Sequence, residues 1–220
     1  MKEKFMTKIR KFAKECMGKV PAHGYDHAFR VGIMARNIAR KESLKKLYLY
    51  EIAGLLHDIG LDFPDRSKHG EIGAKKAYSF LRQETDLSIT ELSEITYAIS
   101  YHNRKLSAPK HSLILDVLAD ADTLDLLGAI GIWRGIQSRA DANLPSPRQV
   151  AAAMNRFEEY NKSRKDKREN NTHSIAEQIN FQIQSAKIIT TSTGKKMAEP
   201  LLATMRHFRY MIVEELTQSK

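Results

Sequence analysis

The chain has 220 residues, 42% of them hydrophobic, which is enough for one large domain with a sizeable core. Its 36 Lys and Arg residues exceed its 26 Asp and Glu residues, so the formal net charge is +10. The single cysteine, Cys16, excludes an internal disulfide, and no apolar run approaches the ~18 residues that span a bilayer.

Much of the positive charge lies in two stretches, Met1–Lys19 and Tyr160–Arg168. This charge suits an anionic partner, namely nucleic acid, a nucleotide or an acidic membrane. A solubilising surface explains it equally well, so the charge alone does not identify a partner. The amino terminus is basic and amphipathic but lacks the uninterrupted apolar segment of a signal peptide, and we expect a soluble cytoplasmic protein without a membrane partner.

The pattern of hydrophobic residues predicts an all-α fold. Gly and Pro are sparse, at 11 and 6 residues, and long segments have helical periodicity. No run of alternating β-branched residues indicates a sheet, and no internal repeat or second domain is evident. We therefore predict a single compact helical bundle over residues 1–220, with its core at about 20–135 and a carboxy-terminal helical extension at 150–217.

Two amphipathic helices are predicted at the start of the chain. Residues 2–18 form a basic helix with an apolar face that consists of Phe5, Ile9, Phe12 and Ala13. This face is expected to pack against the rest of the domain rather than to lie on a membrane surface. Pro21 and Gly24 end this segment, and Asp26 is expected to cap a second helix, which has His27 in its first turn.

Three further helices are predicted, at about 43–58, 69–82 and 88–102. The first of them runs into the adjacent pair His57-Asp58, and Gly60 provides a stop signal after it. His69 begins the second, and His102 ends the third. A buried carboxylate such as Asp58 is costly unless it is paired or bound to a metal.

The order of the histidines along these helices is the most informative pattern in the sequence. If the second to fifth helices are successive up-and-down neighbours, His27, His57, His69 and His102 lie at one end of the bundle and point inward. A single histidine on an apolar face is more often a core residue that is hydrogen-bonded to the backbone. Four at the same end beside Asp58 instead favour a metal site, whose ligands are commonly neutral imidazole and carboxylate.

A sixth helix at about 112–127 carries three carboxylates on an otherwise apolar stretch, Asp120, Asp122 and Asp125. Asp122 lies four residues after Leu118 and therefore borders the inward face. Asp125 is expected to orient or cap nearby backbone. A simple up-and-down bundle would place Asp122 far from the histidines, so this helix must cross the others obliquely if Asp122 takes part in the site. Exposed charges are the alternative.

Beyond Gly131 the signals weaken. Residues 138–148 are predicted as a loop, and the charged, Asn-rich residues 163–172 as an exposed turn or flap. Helices are predicted at 151–162, 175–189 and 191–216.

Three stretches of the chain resemble the HD-domain superfamily of metal-dependent phosphohydrolases, and in particular its stand-alone bacterial and archaeal hydrolases of about this length. They are His23-Gly-Tyr-Asp-His27 with Arg30-Val31, Leu55-Leu-His-Asp-Ile-Gly60, and Asp120-Ala-Asp-Thr-Leu-Asp125 running into Gly128-Ala-Ile-Gly131. The carboxy-terminal Thr193-Gly-Lys-Lys-Met-Ala198 and the helix after it are also similar to that group. The order of His27, His57-Asp58 and Asp122 along the chain is specific to the superfamily, although each piece alone is not.

This resemblance implies that one divalent ion is bound by His27, His57, Asp58 and Asp122. It further implies that His69 and His102 occupy positions that, in binuclear members, hold a second ion or contact phosphate. The chain differs from other members of the superfamily in two respects that bear on the activity. Leu61 stands where many members have Lys, and the alarmone-hydrolysing branch has a Glu-Asp pair where this chain has Leu61 and Asp62, which argues against alarmone hydrolysis.

A ligand set of two imidazoles and two carboxylates suits manganese, iron, cobalt, nickel or zinc better than magnesium. We expect one such ion, with a second left open, and coordination positions for a water and a phosphate oxygen. Asp58 is a candidate for orienting the water or bridging two ions, and Asp62 is a secondary candidate base. His69 and His102 are the other catalytic candidates. Substrate phosphate has three candidate ligands, for each of which a solvated surface charge is the alternative: Arg30, Arg104 and Lys105.

Two functions from different classes follow from these observations. The first is a metal-dependent phosphohydrolase that cleaves a phosphoester or phosphoanhydride bond of a nucleotide or related phosphorylated small molecule. The second is a non-enzymatic nucleotide or nucleic-acid binding module on an HD fold, which the basic segments favour. The intact ligand set favours the enzyme.

Overall fold

The computed structural model of the protein describes residues 2–17, 23–62, 66–137 and 175–218. Every regular element within these ranges is a helix, which confirms the all-α fold class. The predicted loop at 138–148, helix at 151–162 and exposed turn at 163–172 lie outside the described residues.

Except for a helix at Gly128–Gln137, which the sequence analysis did not predict, the helices begin and end within a few residues of the predicted positions. The α-helices are α1 (Lys2–Met17), α2 (Tyr25–Lys41), α3 (Leu47–Leu56), α4 (His69–Glu84), α5 (Ile89–Tyr101), α6 (Leu113–Asp125), α7 (Gly128–Gln137), α8 (Ile175–Ser185) and α9 (Ser192–Gln218). Short 3-10 helices cover Arg66–Lys68, His102–Ser107 and Ala186–Ile188.

Two predicted helix starts are wrong, for local reasons. The N-cap of α2 is Gly24 rather than Asp26, which lies in the first turn, where its charge faces the positive end of the helix dipole. Helix α3 begins at Leu47 rather than near Ser43. Ser43 and Lys46 have φ angles of 57° and 54°, in the left-handed region, so a right-handed helix cannot start before Leu47.

Contacts divide the chain into two units. One comprises Met1–Asp125 together with Ile188–Lys196, and the other comprises Leu126–Lys187 together with Met197–Lys220. The assignment of the whole chain to one domain stays a prediction. All predicted site residues belong to the first unit.

The core of the first unit is organised around a close crossing of α2 and α3. Gly32 and Gly54 meet at this crossing, where a Cβ atom on Gly54 would lie 2.6 Å from the Cα of Gly32. Around them, Val31, Ile52 and Leu55 are almost completely buried. The absence of both side chains lets the two backbones approach, and this approach brings the start of α2 to the end of α3.

We expect Gly54→Ala to destabilise the protein by about 1–3 kcal/mol, the usual cost of overpacking a core. The added methyl group meets backbone atoms of α2, which cannot move aside as a flexible side chain would. Urea unfolding followed by circular dichroism measures the change. The intrinsic helix preference for Ala over Gly has the opposite sign, so an unchanged or increased stability would show that the two helices can separate without cost.

Helix α1 packs on the first unit, as its apolar face predicts. Ile9 and Ala13 are fully buried, and the ring of Phe12 stacks on Phe80 of α4 with centroids 4.0 Å apart. Arg10 of α1 also donates to the buried carboxylate of Glu51 at 2.8 Å. The apolar face of α1, which a membrane-surface helix would place in lipid, is therefore packed against the protein.

None of the helices in the described part of the chain has the length and apolar character needed to cross a membrane.

The second unit contains α7, α8 and most of α9. The side-chain amide of Gln182 donates to the carbonyl of Gly131 at 2.7 Å, which joins α8 to α7. Arg209 of α9 donates to Asn180 of α8 at 3.0 Å. None of the predicted site residues lies in this unit.

Candidate metal centre

Four histidines from four different helix ends meet in the first unit, as their order in the sequence predicts. His27 lies in the first turn of α2, His57 directly follows α3, His69 begins α4 and His102 directly follows α5. The Nε2 atoms of His27 and His57 are 3.2 Å apart, and those of His69 and His102 are 3.1 Å apart. The two pairs adjoin, since the rings of His57 and His102 have centroids 5.0 Å apart.

Asp58 lies between the two histidine pairs and is only 3% exposed. Its Oδ2 atom is 3.3 Å from Nε2 of His57 and 3.7 Å from Nε2 of His27. Its Oδ1 atom is 3.5 Å from Nε2 of His69 and 3.4 Å from Nε2 of His102. Each carboxylate oxygen therefore faces one histidine pair.

Asp122 reaches the first of these pairs from α6. Its Oδ1 atom is 3.3 Å from Nε2 of His27 and 3.8 Å from Nε2 of His57. Helix α6 packs against both α2 and α3, which is the crossing that a simple up-and-down order does not supply. The side chain of Asp122 is 27% exposed, so this edge of the cluster is open to solvent.

The neighbouring carboxylates of α6 have other partners. Asp120 is fully buried and accepts backbone hydrogen bonds from Thr190 and Thr191, the shortest at 2.8 Å. Asp125 accepts from Nδ1 of His27 at 2.7 Å. Asp125 thus orients an imidazole, whereas the sequence led us to expect that it orients or caps backbone.

The hydrogen bonds on the Nδ1 atoms fix the tautomers of three imidazoles. Nδ1 of His57 faces the carbonyl of Gly54 at 2.8 Å, and Nδ1 of His102 faces the carbonyl of Ile99 at 2.7 Å. A carbonyl only accepts, so both Nδ1 atoms carry the proton. Nδ1 of His27 likewise donates to the Asp125 carboxylate. In the neutral imidazoles the Nε2 atoms consequently carry lone pairs that point into the cluster.

A cation satisfies this arrangement better than hydrogen bonds do. Two Nε2 lone pairs that are 3.2 Å apart, as in His27 and His57, repel each other unless a positive charge lies between or beside them. Two carboxylate oxygens, from Asp58 and Asp122, lie within 4 Å of the same nitrogen atoms. Neutral imidazole with a second hydrogen bond to carbonyl or carboxylate is the usual form of a metal-binding histidine. The residues therefore fit a divalent ion.

The electrostatics of the cluster agree with this interpretation. Burial lowers the pKa of His57, but the charge of Asp58 and its hydrogen bond outweigh burial and raise that pKa to about 9. Burial raises the pKa of Asp58, but the charge of His57 and the contacts of the carboxylate with His102 and His23 hold it well below its usual range. The carboxylates thus stay ionised beside positive charge, which either a proton or a metal ion can supply.

The three predicted phosphate ligands have different surroundings. Arg30 donates two hydrogen bonds to Asp125, at 2.7 and 2.9 Å, which raise its pKa, and its side chain is 37% exposed. Arg104 is exposed and pairs with Glu71 at 2.6 Å. Lys105 is nearly buried. Its ammonium group contacts three side-chain oxygens, those of Thr190, Asp116 and Asp120. Arg30 is the one of the three that shares a carboxylate partner with His27. All three assignments stay predictions.

Sequence reasoning did not assign His23 to the site. Nδ1 of His23 is 3.1 Å from Oδ2 of Asp58, and its side chain is 42% exposed. Its spacing of four residues before His27 was the available signal. By contrast, Asp62, the secondary candidate base, is exposed and pairs with Lys76 at 2.7 Å.

Separate Asp→Asn variants show whether Asp122 or Asp120 binds the metal. We expect Asp122→Asn to lose bound metal, because Asp122 offers an oxygen to both His27 and His57. Asp120→Asn should keep its metal but lose about 1–3 kcal/mol of stability, because it weakens buried hydrogen bonds to a charged group. Metal analysis and urea unfolding of both variants measure these changes. Metal loss at Asp120 with retention at Asp122 would reverse the assignment.

Comparison with known proteins gives a match to one family model and several similar structures. Residues 24–127 match the HD domain. Similar structures include a predicted HD superfamily hydrolase from an uncultured Thermotogales bacterium, with 24% identity, a TM-score of 0.64 and coverage of 96% of this chain and 92% of that one. An HD-superfamily hydrolase from Bacillus thuringiensis has 23% identity, a TM-score of 0.67 and coverage of 99% of both chains.

A further similar structure is Bacillus subtilis YpgQ in complex with ADP, with 19% identity, a TM-score of 0.65 and coverage of 96% of this chain and 97% of that one. No curated protein sequence matches the chain. At these identities the structural similarity shows the fold alone, which is the all-α fold of HD-superfamily hydrolases.

Proposed function

Because the chain belongs to the HD domain family through residues 24–127, we propose that it is a metal-dependent phosphohydrolase. It cleaves a phosphoester or phosphoanhydride bond of a nucleotide or a related phosphorylated small molecule. The observation that carries this proposal is the convergence of the Nε2 atoms of His27 and His57, which are 3.2 Å apart, with the carboxylates of Asp58 and Asp122. Each of the two nitrogen atoms lies within 4 Å of an oxygen of both carboxylates.

These four residues would hold one divalent ion. Their nitrogen and oxygen donors suit manganese, iron, cobalt, nickel or zinc. Such an ion lowers the pKa of a water and offsets charge on a phosphoryl group. Asp125 holds the ring of His27 in the orientation that aims Nε2 at the ion, and the backbone carbonyl of Gly54 does the same for His57.

The second histidine pair is the proposed source of protons. Nδ1 of His102 donates to a carbonyl, so its Nε2 accepts, and the facing Nε2 of His69 is close enough to share a proton with it. His69 is 12% exposed and is therefore the more accessible of the two. The pair can deliver a proton to the leaving oxygen of a phosphate that lies beside Asp58. Arg30, which Asp125 orients, is the proposed phosphate ligand.

A nucleotide substrate has two supports. The net charge of +10 favours anionic ligands, and the structurally similar YpgQ has been crystallised with ADP. The alternative is that the chain binds nucleotides or nucleic acid without hydrolysing them. The complete set of convergent imidazoles and carboxylates favours the enzyme, because a binding module needs no such cluster.

A hydrolysis screen tests the proposal. We expect the purified protein, supplemented in turn with manganese, iron, cobalt, nickel and zinc, to hydrolyse at least one of a panel of nucleoside monophosphates, nucleoside triphosphates and cyclic dinucleotides. Release of phosphate or pyrophosphate is the measurement, and protein treated with a chelator is the control. No turnover with any of these ions, together with salt-sensitive nucleotide binding, would support the binding module instead.

A further inference from the structure

Helices α4 and α5 leave a groove between them that the proposed hydrolysis does not use. Its volume is about 640 Å³. The side chains that define it, here called the tyrosine groove, are Lys75 and Tyr78 on α4, Thr96, Tyr97 and Tyr101 on α5, and Lys110 after α5. The groove belongs entirely to the first unit.

Each tyrosine of the groove is accompanied by a cation. The guanidinium of Arg104 lies 4.8 Å from the ring centre of Tyr101, and the ammonium of Lys110 lies 4.5 Å from the ring centre of Tyr97. The rings of Tyr97 and Tyr101 have centroids 4.9 Å apart and are inclined by 38°. On the opposite wall, Arg82 donates to the hydroxyl of Tyr78 at 3.3 Å.

The tyrosine groove adjoins a second depression of about 500 Å³, here called the basic depression. Tyr97 and Lys110 line both. The basic depression adds Lys45 and Lys46, as well as the aromatic ring of Tyr50. The lining of the joined surface contains four lysines, at 45, 46, 75 and 110, against two glutamates, at 71 and 94. Of these charges, Glu71 is paired with Arg104 and Lys46 with Glu91, which leaves three lysines against Glu94.

Flat aromatic rings that alternate with cations recognise one kind of ligand well. Bases stack on tyrosine rings irrespective of their sequence, and lysine and arginine follow the phosphates between them. Each of the two depressions has the volume of a site for one small ligand, so the joined surface has room for more than one nucleotide. A single nucleotide would need one ring beside the metal centre rather than a series of ring–cation pairs.

We propose that the tyrosine groove and the basic depression together bind a short single-stranded nucleic acid. The end of this surface that is nearer to the candidate metal centre lies at Tyr101, which directly precedes His102, and at Glu71, which follows His69 by two residues. The bound strand would therefore approach the candidate metal centre from α4 and α5. Binding does not depend on the proposed hydrolysis and is measured separately from it.

Fluorescence anisotropy with a labelled ten-nucleotide single strand measures the binding. The full chain is used as purified, and gel electrophoresis after the titration checks that the strand stays intact. An abasic strand of the same length and charge is the control for stacking. The labelled strand should bind more tightly than the abasic strand, and both should bind more weakly as the salt concentration rises.

Tyr101→Leu tests the stacking step. It removes the ring but keeps a smaller apolar side chain, and we expect it to weaken binding about five- to a hundredfold, as loss of one stacked base does. Tyr101→Phe keeps the ring and should retain the affinity. Tyr210→Leu, at an exposed tyrosine of α9, is the matched control outside the groove.

The pair of substitutions Lys75→Ala and Lys110→Ala tests the phosphate contacts. Loss of two contacts should reduce the slope of log affinity against log salt by about 1.4, since each contact to a single strand contributes about 0.7. Lys11→Ala with Lys14→Ala removes the same charge from the exposed side of α1 and should leave the slope unchanged.

Three results would overturn the proposal. The first is the absence of measurable binding at low salt. The second is equal affinity for the normal and abasic strands, or equal slopes for the groove and α1 lysine variants, either of which would assign binding to the general positive charge. The third is an affinity independent of strand length and matched by a mononucleotide, which would make the ligand a single nucleotide.

Discussion

His57→Ala and Asp58→Ala should each lose bound metal and hydrolytic activity completely while the protein stays folded. Asp58 is the residue that both histidine pairs share, because its Oδ2 faces His57 and its Oδ1 faces His102. Both substituted residues lie in the turn after α3 rather than inside the helix, so the helix itself does not depend on them. Elemental analysis of the purified variants measures the bound metal, and turnover of the substrate that the screen identifies measures the activity.

The same turn provides a matched control for Asp58. Asp62 is an acidic residue only four positions later, but it is exposed and paired with Lys76. Asp62→Ala should therefore keep both the metal and the activity. Circular dichroism of all three variants shows whether loss of metal accompanies loss of helix. Full metal content in either His57→Ala or Asp58→Ala would mean that the metal centre is assigned to the wrong residues.

His69→Ala and His102→Ala should each lower turnover by about 10²–10⁴-fold, the usual contribution of a general acid or base. The tightly bound metal should stay near one ion per chain. The reason is the position of this pair, 3.1 Å apart at Nε2 and on the side of Asp58 that faces away from His27 and His57. Metal stoichiometry and single-turnover rates measure the two effects separately.

A different stoichiometry would change the mechanism. Nε2 of His102, with His57 and a carboxylate oxygen of Asp58, forms a group that could itself hold an ion. Two ions per chain in the unmodified protein, falling to one in either variant, would show that His69 and His102 are ligands. His111→Ala is the control, because His111 is 75% exposed and pairs with Asp116 at 2.8 Å. It should change neither turnover nor metal content.

The sequence by itself determined the local structure that presents the site. Helix periodicity and end signals depend on residues three or four positions apart, and they are complete in one segment of chain. The capping box of α5 is an example, since Ser88 and Glu91 satisfy each other's backbone groups. The same local signals placed His27, His57, His69 and His102 at helix ends. Alternation of helix direction agrees with their meeting at one end of the unit, although α3 packs on α5 rather than on its successor α4.

The tertiary structure alone decided which polar residues meet across the chain. Asp125 pairs with His27, 98 residues away, and Asp120 accepts a hydrogen bond from the backbone N–H of Thr190, 70 residues away. No local pattern encodes such pairs, because they depend on the angle at which α6 crosses α2 and on the return of residues 188–196 to the first unit. That angle follows from packing of side chains over the whole core, whose energy no single segment contains. For this reason periodicity could place Asp122 on the inward face of its helix but could not bring it to the histidines.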